Sequence, residues 1–168
     1  MSERATDPLV AEACRRSPLV WVRAAGRPAR PVWSVWHEGA VAVVVGGEEQ
    51  PDPVPDDVRE VEVVVRSKAA GSRLLTFPAR VEVLDPGDPV WAATVEALRA
   101  GRLNAADPET LPQRWATSSQ VLRLVPAGPP TEQPGGYDDA SGASPPVPTP
   151  AVTVRRRPFH LGGRRRRR

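Results

Sequence analysis

The chain has 168 residues, with 23 Lys+Arg against 20 Asp+Glu and 40% hydrophobic residues, enough for one domain with an appendage. Its single cysteine, Cys14, excludes an internal disulfide and a zinc–thiolate cluster, and no apolar run reaches the length of a membrane-spanning helix. The charge is divided: residues 1–125 carry 15 basic and 17 acidic side chains, residues 126–168 carry 8 and 3, so the basic pI belongs to the tail. The opening MSERATDP has no apolar signal core, and a soluble cytoplasmic protein is expected.

Asp7-Pro8 has the form of an N-cap followed by a first-turn proline, and predicts a short helix to about Arg16, where Pro18 disfavours continuation. LVWVRA (19–24), PVWSVWH (31–37) and AVAVVV (40–45) have strand composition. Glu38-Gly39 between the last two predicts a tight hairpin. GEEQPDPVPDD (47–57) is an acidic, proline-broken loop. VREVEVVV (58–65) places Val61, Val63 and Val65 on one face. LLTFPARVEV (74–83) places Leu75, Phe77, Ala79, Val81 and Val83 on one face by period 2. Pro78 lacks a donor and should mark an edge or bulge. Asp88-Pro89 repeats the capping signal, and Trp91, Val95 and Leu98 share a helix face ending near Gly101. A short helix is expected over 111–116, then a closing strand at 119–125.

Short antiparallel strands without a βαβ rhythm predict a mainly β, α+β fold: a small antiparallel barrel with two or three short helices. Three segments follow: a helical segment (1–16), the barrel (17–125) and a Pro/Gly-rich, Arg-ending tail (126–168). The tail has too little apolar area to offset chain ordering and is expected to be disordered.

No phosphate-loop, dinucleotide, metalloprotease or nucleophile-elbow motif is present. His37 and His160 do not make a metal site, and none is expected. Trp33 and Trp36 have opposite parity, so one points inward and one outward, and an outward indole suits a subunit contact or a planar ligand. The only lysine, Lys68, follows Ser67 at the end of a valine-rich run. It is either a solvated turn residue or part of an anion site. The arginine blocks of 155–168 could contact nucleic acid through phosphate neutralisation, although charge runs are often solvated tails.

SPLVWVRAAGRPARPVWSVWHEGAVAVVVGGEEQ followed by VREVEVVVRSKAAGSRLLTFPARVEV resembles the flavin-binding split β-barrel family. That family contains pyridoxamine 5′-phosphate oxidase and the actinobacterial deazaflavin (F420) proteins; the WxVWH…GGxEQ…RSK pattern is similar to an actinobacterial branch. The resemblance covers residues 17–125. It implies a homodimer with FMN or F420 in a groove between subunits, acting as an oxidoreductase on an unidentified small molecule. It assigns cofactor contacts to Arg30, Trp33, Ser34 and Trp36 on the second strand, to Gly46, Gly47 and Gln50 after the third, and to Ser67, Lys68 and Arg73 on the next hairpin. Catalytic side chains are not identified, because redox chemistry would belong to the cofactor. Glu48 and Glu49 depart from the pattern, since carboxylates repel a phosphate. They favour the alternative of a non-catalytic dimer binding a small ligand or none.

Overall fold

A computed structural model describes residues 7–67, 73–102 and 107–137, with the side chain of Arg73 excepted. Lys68 and the arginine blocks lie outside the described residues. The elements are α1 (Pro8–Arg16), β1 (Leu19–Arg23), β2 (Arg30–Trp33), β3 (Val35–His37), β4 (Ala40–Val45), β5 (Glu60–Arg66), β6 (Arg73–Leu84), α2 (Pro89–Gly101), α3 (Leu111–Ser118) and β7 (Gln120–Pro126).

Local chemistry explains the boundaries. The Asp7 carboxylate accepts the Leu9 N–H at 2.8 Å, and the Asp88 carboxylate accepts the Val90 N–H at 2.7 Å, each ahead of a first-turn proline. Glu38 and Gly39 both have positive φ (43° and 76°), the twist a two-residue hairpin needs between right-twisted strands.

The seven strands pair antiparallel in the order β2-β1-β5-β6-β7-β4-β3. The two edge strands, β2 and β3, are separated by one residue, Ser34. The expected single run 31–37 therefore divides its pairing: β2 bonds β1 and β3 bonds β4. The sheet closes on itself through that residue into a nearly complete barrel. Side-chain alternation passes through the break unaltered. Val32 and Ser34 are buried and Trp36 packs on the interior cluster, while Trp33 and Val35 join the outer one.

The interior is filled by Val20 and Val22 of β1, Val61, Val63 and Val65 of β5, and Leu75, Phe77 and Ala79 of β6, with Val10 and Cys14 of α1 added. On the outside, Trp91, Val95 and Leu98 of α2 and Leu111 and Trp115 of α3 cover Ala42, Val44 and Val121. β4 is thus buried on both faces, which is why its sequence shows no polar alternation.

Two positions refine the sequence reading. Val83 shares the inward parity of β6 but is 58% exposed, because β6 overruns β5, whose pairing stops at Glu60↔Arg80. Pro78 sits in an interior strand. Its missing donor faces the side where β7 has already ended, and its carbonyl accepts the Ala127 N–H at 2.9 Å. Beyond β7 the chain continues along β6. Thr131 N–H donates to Thr76 O at 2.8 Å, Thr76 N–H to Glu132 O at 2.9 Å, and Tyr137 Oη to Leu74 O at 2.7 Å. No described helix is long and apolar enough to cross a membrane.

Candidate functional site

The pairs Val35↔Ala42, Trp36↔Val41 and His37↔Ala40, extended two residues, place Trp33 opposite Val44. Backbone pairing does not continue there, because β2 has turned towards β1. The Gln50 carboxamide takes the vacant position in the ladder. Its Oε1 accepts the Trp33 N–H at 2.6 Å, and its Nε2 donates to Trp33 O at 2.9 Å and to Val44 O at 3.1 Å. Gln50 is aimed by the tight return after β4, where Gly46 N–H donates to Gln50 O at 2.9 Å and Glu49 N–H to Gly46 O at 3.0 Å. A side chain expected at a cofactor ring edge instead bridges the split in the barrel.

The two glycines of that return differ. At Gly47 (φ 60°) a Cβ would lie 2.5 Å from Ser118 O, so the close approach there is to the end of α3. At Gly46 (φ 79°) a Cβ would meet nothing within 4 Å. Ser119 Oγ donates to Gly46 O at 3.2 Å, fastening the return to the start of β7.

Glu49 explains the acidic departure in GGEEQ. Its side chain is 1% exposed, and it accepts the Trp115 indole N–H at 2.9 Å. Arg102 Nη2 lies 2.9 Å from Oε2 and Arg114 Nη2 lies 3.6 Å from Oε1. The Arg102 contact is an ion pair without hydrogen-bond alignment, leaving Oε2 without a hydrogen bond. A buried carboxylate needs such compensation, since desolvating an unpaired charge is costly. Glu48 is mostly exposed and reaches Arg114 only at 3.6 Å. Each arginine keeps about a third of its side chain exposed, and the Arg102 guanidinium stands 5.3 Å from the centre of the Trp33 ring. The geometry is a ledge of two guanidinium groups, Arg102 beside an indole, held from within by Glu49 and met at the rim by Glu48.

Trp33, Gly46, Gly47 and Gln50 are therefore brought together. Ser34 is buried next to them, its N–H donating to Pro18 O at 3.0 Å. Ser67 follows the end of β5. Leu19 pairs with Trp33 and adjoins Val20↔Val65, so the β5 end lies two strand spacings, roughly 10 Å, from Trp33. Arg73 opens β6 opposite Arg66. Arg30 is exposed at the far end of β2, opposite Val22, and Trp36 faces the interior; neither joins the group. Sequence reasoning missed Arg102, Arg114 and Trp115. The signal available was the Glu48-Glu49 pair itself, since a carboxylate between two hydrophobic elements demands cations, but nothing in the spacing says which.

Arg102 and Arg114 are each about a third exposed, and a Cβ at Gly46 would meet nothing within 4 Å. Gly47 and Gln50 are already engaged with protein. Among the described residues no cluster of His, Cys, Asp and Glu could hold a metal ion.

No protein-family model and no curated protein matches the sequence. Among solved structures, the heme storage protein HutZ from Vibrio cholerae superposes with a TM-score of 0.55 at 14% identity, over 73% of this chain and 91% of HutZ. The flavocytochrome Anf3 from Azotobacter vinelandii gives 0.43 at 15% identity, over 89% and 86% of the two chains. A Corynebacterium glutamicum protein described as a pyridoxamine 5′-phosphate oxidase gives 0.40 at 14%, over 76% and 86%. The nearly closed antiparallel barrel and the HutZ superposition define the class: the chain has the split β-barrel fold that the sequence resemblance implies.

Proposed function

We propose that the chain is a homodimeric split-barrel protein that binds a flavin or deazaflavin, FMN or F420, and serves as an oxidoreductase for a small molecule. The observation that carries this reading is the ledge of Arg102 and Arg114, with Arg102 beside the Trp33 ring; such a ledge would suit an anionic group attached to a flat ring. Guanidinium groups pair well with phosphate, and the buried Glu49 holds these two in place before any ligand arrives. The cofactor would supply the redox chemistry; the protein's part is to bind, orient and set the local charge.

Dimerisation is supported by the outer face of β1, β2 and β5. Leu19 is 44% exposed there, Pro31 is exposed, and Trp21 and Val64 are only partly covered. The Trp21 indole N–H is buried without an acceptor, and Arg66 stands 5.9 Å from the centre of that ring. The described helices pack chiefly on β3, β4, β6 and β7 instead. A sheet face that the described helices leave uncovered, with Trp21 on it, suits a second copy.

The test is titration of FMN, F420 and hemin into the full chain, read by flavin fluorescence and by the visible spectrum. Saturable binding of FMN or F420 supports the reading. Binding of hemin alone, in keeping with the fold shared with HutZ, or of none of the three, overturns it. The second reading, a dimer that binds a ligand without catalysis, is favoured by the internal engagement of Gln50 and Gly47. Flavin binding with no electron transfer from the bound, reduced cofactor to any acceptor would support it.

A further inference from the structure

At the end of the barrel where β6 finishes and β7 begins, a cleft of about 210 Å³ opens against the loop of residues 52–59. Its floor is apolar, made by Val54, Val81, Val83 and Leu122, and its rim carries Asp52, Asp56 and Arg59. Arg59 is turned to the loop backbone, donating to Asp56 O at 2.8 Å. The Asp52 carboxylate accepts the Val54 N–H at 2.8 Å and has no cation paired with it among the described residues. Asp57 and Glu60 add further negative charge nearby in the chain. Val83 leaves more than half of its surface uncovered at this mouth.

We propose that the arginine-rich C-terminal segment of this same chain, residues 155–168, docks in this cleft. The segment reads RRRPFHLGGRRRRR, apolar Phe159 and Leu161 between two basic blocks. That pattern complements an apolar floor between carboxylates, and arginine stems cover apolar surface while their guanidinium groups reach acids. The charge balance agrees, with eight basic side chains in residues 126–168 against a net acidic body.

The reach agrees as well. The described chain ends at Tyr137, pinned to Leu74 O at the start of β6, and the cleft lies near Val83, about 30 Å along that strand. The 22 residues from Tyr137 to Phe159 reach at most about 75 Å when fully extended, more than twice that separation, so the tail can reach the cleft of its own chain and act there intramolecularly. The inference is independent of any cofactor.

The test places a thiol in the cleft by Val83→Cys in the full chain. The native Cys14 is buried, and its thiol is pushed up to about 12, so it stays silent to alkylation near neutral pH. Iodoacetamide labelling should be roughly threefold or more slower with the natural tail than with its eight arginines replaced by glutamine, and high salt should close the gap. The pair Asp52→Asn and Asp56→Asn should release the same protection. Equal rates for both tails, protection unaffected by the two asparagines, or protection that grows with protein concentration, which would assign it to other molecules, would each overturn the proposal.

Discussion

Glu49 and Gln50 are adjacent and do different physical work. Glu49 lies against two guanidinium groups from inside the protein and accepts the Trp115 indole N–H. Glu49→Ala would leave that indole and a partly buried Arg102 without a partner. It should destabilise the fold by about 3 kcal/mol in urea unfolding, discounted from a fully buried pair because the arginines are a third exposed. Glu49→Gln keeps an acceptor for Trp115 and should recover part of the loss. The arginine partners of Glu49 were not legible in the sequence, because Arg102 and Arg114 lie more than fifty residues from it. The helix caps were legible, since Asp-Pro specifies its own local geometry. Cys14 gives a pH signature. Burial raises its thiol from 9.0 to about 12, so the unfolded chain ionises first. The stability tied to the neutral thiol is present below pH 9 and is lost as pH rises from 9 towards 12. Near pH 10 wild type should have lost about 1 kcal/mol more than Cys14→Ala, measured by parallel urea titrations.

Among the elements, the break at Ser34 decides the architecture. Strand existence was legible, since valine alternation on β5 and the Glu38-Gly39 turn are local signals. That 31–37 serves two partner strands was not, because pairing is a long-range choice and its side-chain parity is continuous. The exposure of Val83 escaped for the same reason: period 2 gives the face of a residue, not where the neighbouring strand stops. If the Gln50 carboxamide holds the two halves together, Gln50→Leu should cost about 2–4 kcal/mol. Three hydrogen bonds are lost and backbone groups of Trp33 and Val44 are left unpaired. Because β2 should then separate from β4, amide exchange at Trp33 should rise more than at Val63 in the central β5. A uniform rise across the barrel would contradict a local bridge.

For the whole molecule, the resemblance led to the fold correctly, because strand order and hairpin character are properties of the complete barrel. The candidate site was legible only in part. Trp33, Gly46, Gly47 and Gln50 do converge, but two of them meet the protein's own groups. The uncovered β1–β2–β5 face bears on assembly. Trp21→Arg places a charge at the centre of that face, and in sedimentation velocity at micromolar concentration it should convert a wild-type dimer to monomer while helix and strand content stays unchanged. A wild-type monomer would contradict the interface.

The cofactor ledge is best tested by equilibrium titration of FMN and F420 into full-length wild type, Arg114→Gln and Lys68→Glu. Charge-assisted hydrogen bonds contribute about 1.5–3 kcal/mol, so losing one should weaken binding about tenfold or more. The account predicts saturable binding by wild type and that loss in Arg114→Gln, whose folded spectrum should be preserved. A comparable loss in Lys68→Glu would extend the anion site to the segment that joins β5 and β6. Wild-type protein that binds neither cofactor, or an Arg114→Gln variant that binds as tightly as wild type, would contradict it.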